Sequence, residues 1–302
     1  TERTVVPFFK HRQDLDTRSI ALPDNESLGI ALDKSSTFDL ARRLGIPVPQ
    51  GVTIQDTAQL SGAAQTLAFP IVIKPARSMG SGDQGIVQLA VDYAFNERQL
   101  CAMATHALRF GDVILQEYFS GKGTGIELIA SHGKIVYAFQ HLRLHEVPLT
   151  GGGSSLRKSV AIEPALLDAA TKLMAALNWH GVAMVEFKWN PDTHDFRLME
   201  INGRFWGSLP LAIASGADFP AMLYELLVQG SITDRPPPKP DVLCRKLSSD
   251  LYWHEQVLRG ATLPGKLSAP IGRRELLKSI GWLFNPRHRF DIQSLSDPLP
   301  GL

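Results

Sequence analysis

The chain has 302 residues, 44% of them hydrophobic, which is enough for one large domain or several lobes with a real core. Lys plus Arg (31) nearly balances Asp plus Glu (30), and the formal charge of +1 provides no global field to draw the protein onto nucleic acid or an anionic membrane. Only Cys101 and Cys244 are present, without metal-type spacing, so a reducing cytoplasm is favoured over a disulfide framework; no apolar run approaches the roughly 20 residues of a membrane span, and no signal peptide is visible.

The chain opens on Thr1 rather than Met and is expected to begin inside a longer natural protein. Residues 1–32 show little periodicity and read as a linker or the remnant of a preceding domain. In DKSSTFDLARRLG, Asp33 is an N-cap, Phe38, Leu40, Ala41 and Leu44 have helical spacing, and Gly45 ends the helix. Residues 55–68 read as helix and 69–76, FPIVIKPA, as strand. MGSGDQG (79–85) is a Gly-rich loop before a second strand, 86–91. A helix is expected over 94–110, a strand over 112–121, and two strands, 126–131 and 134–147, around SHGK. TGGGSS (150–155) is a loop, and 163–178 a helix with Pro164 in its first turn. GVAMVEFKW (181–189) and FRLMEIN (196–202) form a hairpin. A helix follows at 219–229, then the stiff linker RPPPKP. Leu243, Leu247, Leu251 and Leu258 suggest an amphipathic helix ahead of a loosely patterned tail. This mixture of hairpins and helices reads as α+β in several lobes.

If residues 191–195 form the hairpin loop, Glu186 lies opposite Glu200. Like charges directly opposed destabilise a sheet, and the apolar flanks screen them poorly. Two carboxylates with the amide of Asn202, on the same strand face as Glu200 and Arg204, are hard oxygen ligands suited to Mg²⁺ or Mn²⁺. The alternative is a solvated face on which two glutamates meet. Lys74, at a strand end before the glycine-rich segment, is either a phosphate contact or a snorkelling surface lysine. The spacing of Gly80, Gly82 and Gly85 formally matches G-x-G-x-x-G, but a strand follows where a dinucleotide site needs a helix. GKGTG (121–125) lacks the Walker A spacing. His141, Arg143 and His145 alternate with Phe139 along one strand, as a basic row or an ordinary polar face. TGGGSSLRKS offers backbone N–H groups to an anion, with Arg157 nearby.

Taken in order, DK at 33–34, Lys74-Pro75, the glycine-rich hairpin, LQEYFSG, the GG-containing loop, VEF at 185–187 and EINGR at 200–204 resemble the ATP-grasp superfamily, most closely its carboxylate–amine ligases and carbamoyl-phosphate-synthetase-like members. The resemblance covers roughly residues 30–230. It implies two α+β lobes holding ATP between them: an N-terminal lobe over 33–115, with its lid near Gly82, and a C-terminal lobe over 116–234, followed by a linker and helical extension over 235–302. Lys34 and Lys74 would contact ATP phosphates. Gln116, Glu117, Tyr118 and Phe119 would form the inter-lobe segment whose backbone meets adenine, and Glu127 the ribose-binding acid. Glu186, Glu200 and Asn202 would hold Mg²⁺ (or Mn²⁺). Arg204, Lys74 and Arg157 would be the catalytic set, with Arg204 steadying the phosphoryl group.

There are three departures from the family pattern. Only residues 1–32 stand where the family carries a preceding domain; GKGTGI separates Glu127 from the inter-lobe segment; and the 241–302 tail, with Arg287, His288, Arg289 and a terminal SDPLPGL, lies outside the core pattern. The expected activity is ATP-dependent joining of a small-molecule carboxylate to an amine through an acyl phosphate, in the cytoplasm, with a homodimer left open. The alternatives are a nucleotide-binding regulatory module and a kinase that stops at phosphoryl transfer.

Overall fold

The structure, a computed structural model, describes residues 2–14, 22–76, 79–82, 85–88, 91–260 and 273–293. α1 (Glu2–Lys10) is followed by α2 (Asn25–Leu32), whose N-cap Asp24 accepts from the Ser27 backbone N–H. α3 (Lys34–Arg43) starts where the sequence indicates, because the Asp33 carboxylate accepts from Ser36 N at 3.0 Å and satisfies an orphan first-turn donor. Leu28, Leu40 and Ala41 are buried in the core of the large C-terminal sheet. Residues 25–32, expected as linker or remnant, are therefore part of that core.

β1 (Gly51–Ile54), α4 (Leu60–Thr66) and β2 (Ile71–Pro75) follow, then the hairpin β3 (Met79–Gly82) and β4 (Gly85–Gln88), β5 (Asp92–Ala94), α5 (Glu97–Ala107) and β6 (Val113–Glu117). The helix expected over 55–68 is shorter, a 3-10 turn at Thr57–Gln59 running into α4. The glycine-rich stretch is itself a strand: Gly82 pairs with Gly85 and Met79 with Gln88. A four-stranded sheet in the order β1-β6-β2-β5 packs on α4 and α5 through Ile71, Ile73, Leu100 and Leu115.

The larger sheet is built from β7 (Lys122–Ser131), β8 (Lys134–Val147), β9 (Gly153–Val160), β10 (Gly181–Trp189) and β11 (Phe196–Asn202), with α6 (Pro164–Ala176) between β9 and β10. α7 (Leu209–Ala214), α8 (Phe219–Gln229), β12 (Leu243–Arg245), α9 (Leu247–Leu258), α10 (Arg273–Gly281) and β13 (His288–Phe290) complete the chain. The strand order is β11-β10-β7-β8-β9-β12-β13. One face packs on α2, α3 and α6 through Leu128, Leu173, Val185 and Trp179; the other packs on α7 and α8 through Phe139, Met184, Trp206 and Phe219.

Three readings are corrected here. The strand expected from Ile126 starts at Lys122, so β7 takes in most of GKGTG, and SSLRKSV, expected as part of a loop, is the strand β9. The amphipathic helix expected from Leu243 is a short strand followed by α9, and its leucines do not form the buried face. Leu251 is 61% and Leu258 70% exposed, while Asp250 and Trp253 are buried. β12 and β13 thus extend the C-terminal sheet itself, with Leu243 antiparallel to Lys158 on β9 and parallel to His288 on β13. The terminal SDPLPGL and residues 83 and 84 of the glycine-rich segment lie outside the described residues.

Candidate active site

The site builds on the β10–β11 hairpin. Its loop spans 190–195, closed by Asn190 N donating to Asp195 O at 2.8 Å, so Trp189 pairs with Phe196. That register alone would slide Glu200 past Glu186. A bulge between Glu186 and Phe187 restores the opposition, and Glu186 pairs with Glu200.

Each carboxylate faces a cation. Lys34 Nζ, delivered by the first turn of α3, lies 3.4 Å from Glu200 Oε2. Arg143 Nη2 on β8 lies 2.5 Å from Glu186 Oε2 and so reaches across β7. Gly123 makes the crossing feasible: a Cβ there would sit 2.6 Å from Arg143 Cδ and 2.7 Å from Glu146 Oε1. At Gly125 a Cβ would meet His141 Cε1 at 2.7 Å. Gly123 and Gly125 are therefore windows for β8 side chains. Asn202 Nδ2 donates to Glu200 Oε1 at 3.0 Å. Burial acts to raise the Glu200 pKa, but Lys34, the Asn202 hydrogen bond and Lys74 outweigh it and hold the carboxyl below its usual range.

Lys74 comes from the other sheet. Its strand pairs with β6, and its Nζ crosses to Met199 Sδ on β11 at 3.6 Å. Burial, then the Lys34 charge, lower it to about 8 against the pull of Glu200 and Glu186. Two lysines from separate elements thus converge on a carboxylate pair at the seam of the sheets. Beside them, Arg143 Nη1 and Lys188 Nζ both engage Glu146, at 3.2 and 3.1 Å. Burial opposes the Arg143 charge, but Glu186 and Glu146 more than restore it, so the guanidinium stays protonated. Glu146 and Lys188 were not singled out in the sequence; the bulged register that brings Glu146 beside Arg143 leaves no periodic trace.

β6 ends at Glu117 and β7 starts at Lys122, so Tyr118 and Phe119 lie in the crossing segment. The Glu117 N–H donates to Gln50 O at 2.8 Å, and its carboxylate accepts from Gln50 N at 3.1 Å. Arg197 lies 4.7 Å over the Phe119 ring, and Tyr118 packs edge-on against Tyr93. Gln116 is buried within the ladder, so its backbone is committed to the sheet. Arg204 Nη1 donates to Phe205 O just beyond Asn202.

Two expected residues stand elsewhere. Glu127 is fully buried, accepting from Ser208 Oγ at 2.5 Å and lying 2.8 Å from His141 Nδ1, so it cannot meet a ribose at the crossing segment. Arg157 is buried under β13, bonded to the Asp291 carboxylate and to the carbonyls of Gly207 and Ser154, which leaves it a structural cation in this conformation. The basic row also divides. Arg143 pairs with Arg157 but His145 with Leu156, so an intervening bulge sends His145 to the opposite face, where its ring stacks at 3.5 Å on Trp253. No group of three or more His, Cys, Asp or Glu suited to a metal occurs among the described residues. Two carboxylates and an amide still fit a cation that keeps several waters and takes further oxygens from a phosphate.

Residues 109–249 match the family model described as ATP-grasp in the biosynthetic pathway with Ter operon. The carbamoyl phosphate synthase large chain of Methanospirillum hungatei is 27% identical over 192 residues, covering 60% of this chain and 17% of that protein. Among solved structures, biotin carboxylase of Campylobacter jejuni superposes with a TM-score of 0.59 at 18% identity, covering 74% of this chain and 52% of that one. The ADP complex of an N5-carboxyaminoimidazole ribonucleotide synthetase gives 0.60 at 16% identity, covering 85% and 72%. The fold is ATP-grasp, and over residues 109–249 the chain matches an ATP-grasp family model. The chain spans about a sixth of the length of the curated relatives it matches.

Proposed function

We propose that the chain is an ATP-dependent ligase that activates a carboxylate as an acyl phosphate and joins it to an amine, releasing ADP and phosphate. The observation that carries this reading is the convergence of Lys34 and Lys74 on the opposed Glu186–Glu200 pair between two sheets. A partly buried carboxylate pair with its own lysines is costly unless it has work to do. Glu186, Glu200 and Asn202 would hold Mg²⁺ or Mn²⁺, which supplies charge neutralisation for the triphosphate.

In the first step an oxygen of the substrate carboxylate bonds to the γ-phosphorus, and the bridging P–O bond breaks with its electron pair going to ADP. In the second, the amine nitrogen bonds to the acyl carbon, phosphate departs with the C–O pair, and the nitrogen loses a proton. Lys34 and Lys74 face the transferring phosphoryl oxygens, and Arg204 steadies the acyl phosphate. No protein nucleophile is required.

The test is ADP release measured over a matrix of acids and amines. Release that requires both, and a hydroxamate when hydroxylamine replaces the amine, is the expected result. Phosphate transferred to an alcohol, or pyrophosphate release with an adenylate, would overturn it. The reading extends to the binding of ATP and of two small substrates.

A further inference from the structure

A cavity of about 840 Å³ adjoins the site at the end of the large sheet. One wall is the crossing segment, through Tyr118 and Gly121; the opposite wall is the C-terminal extension, through Lys278 and Trp282. Leu142 and Leu243 form its apolar floor, and Arg143 and Lys188 stand at the end nearest the carboxylate pair. Arg143 belongs to both spaces, since it lines the cavity while Nη2 holds Glu186. Its Nε is buried and makes no hydrogen bond among the described residues.

The charge around this space is unequal. Five lysine or arginine side chains line it against three carboxylates. Lys158 pairs with Asp241 at 2.6 Å and Lys188 with Glu146 at 3.1 Å, whereas Lys278 is only 3.9 Å from Glu275 and lies over the Trp282 ring. The volume lies within the roughly 300–1,000 Å³ of sites that bury whole small molecules. A one-carbon acid would leave most of it unfilled.

We propose that this cavity binds the acid substrate, and that the acid is an extended amphipathic carboxylate. Its apolar body lies on Leu142, Leu243 and Trp282, and its carboxylate is directed to Arg143 beside Glu186. The extension then supplies one wall of the acid pocket. This assignment rests on the ligase reading above.

The probe is 8-anilinonaphthalene-1-sulfonate, an apolar ring system carrying one anion, titrated by fluorescence against the whole chain. Saturable one-site binding is expected, weakened at least tenfold by Leu142→Trp, which fills the floor, and by Trp282→Ala, which removes the opposite wall. Excess Mg·ADP should leave the dye in place, 4-phenylbutyrate should displace it, and bicarbonate should not. Unchanged affinity in both variants, displacement by Mg·ADP, or displacement by bicarbonate would overturn the proposal. If calorimetry finds no Mg·ADP binding while the dye still binds in a Leu142- and Trp282-dependent way, the ligase reading fails and the anion site stands.

Discussion

Lys74 is lowered to about 8 because its ammonium is buried and faces Lys34, with Lys188 adding to the repulsion and Glu200 and Glu186 opposing it. A bound triphosphate adds negative charge and raises the bound-state pKa above the free one. Nucleotide affinity should therefore be flat below pH 8 and fall above it, approaching about tenfold per unit as one proton is taken up on binding. Calorimetric affinities between pH 7 and 9.5 would check this; a flat profile would mean that Lys74 does not meet the nucleotide. Glu200→Gln should abolish Mg²⁺-dependent turnover while the melting temperature stays close to that of the wild type. The variant loses a partly buried ion pair with Lys34 and also loses the opposition to Glu186, and the two effects offset. Parallel melts and ADP-release assays would decide, and turnover at the wild-type rate would remove Glu200 from the metal site. At this scale the opposition of Glu186 to Glu200 was legible in the hairpin, and the start of α3 at Lys34 in its Asp33 cap. Glu127 and Arg157 were misread, since their partners Ser208 and Asp291 lie 81 and 134 residues away.

Strand β8 and helix α9 show what element-scale patterns hide. A bulge reverses the direction of every later side chain, so His145 left the row it seemed to share with His141 and Arg143. α9 is docked by polarity: Asp250 binds His145 at 2.7 Å, Ser155 at 3.0 Å, and Arg245, which also donates to Ser279 O at 2.9 Å. Hydrophobic periodicity cannot find a helix whose buried face is an aspartate network beside one tryptophan. Asp250→Ala should cost about 3–5 kcal/mol in denaturant unfolding, because it strands the buried Arg245 charge. Leu251→Ala, on the exposed face, should change stability by no more than about 0.5 kcal/mol. The same network predicts acid sensitivity. Burial, then Arg245, lower His288 to about 4, and burial lowers His145 despite Asp250. Between pH 6.5 and about 4 the unfolded chain holds protons that the native His288 does not, so stability should fall as pH falls through that window. Asp250, held below its usual value, extends the loss to lower pH. A urea midpoint at pH 5 equal to that at pH 7 would contradict this.

For the whole molecule, the motif order pointed to the ATP-grasp architecture: Lys74-Pro75 ends β2, VEF lies on β10, and EINGR begins at the end of β11. The tail was not legible. β12 and β13 are three residues each, and they extend a sheet begun more than a hundred residues earlier. The early helix α2 was equally obscure, since Leu28 and Ala31 acquire meaning only against the distant α6 and β11. The account as a whole stands on one claim: elements of both sheets and α3 assemble a single metal–nucleotide site around the Glu186–Glu200 pair. Calorimetric titration with a non-hydrolysable ATP analogue, with and without Mg²⁺, tests it most directly. One saturable, Mg²⁺-dependent site is predicted in the wild type. Affinity should drop more than tenfold in Lys74→Ala, in keeping with the roughly 1.5–3 kcal/mol of a charged hydrogen bond, and the Mg²⁺ dependence should vanish in Glu200→Gln. Wild-type affinity and Mg²⁺ dependence in both variants would contradict the account.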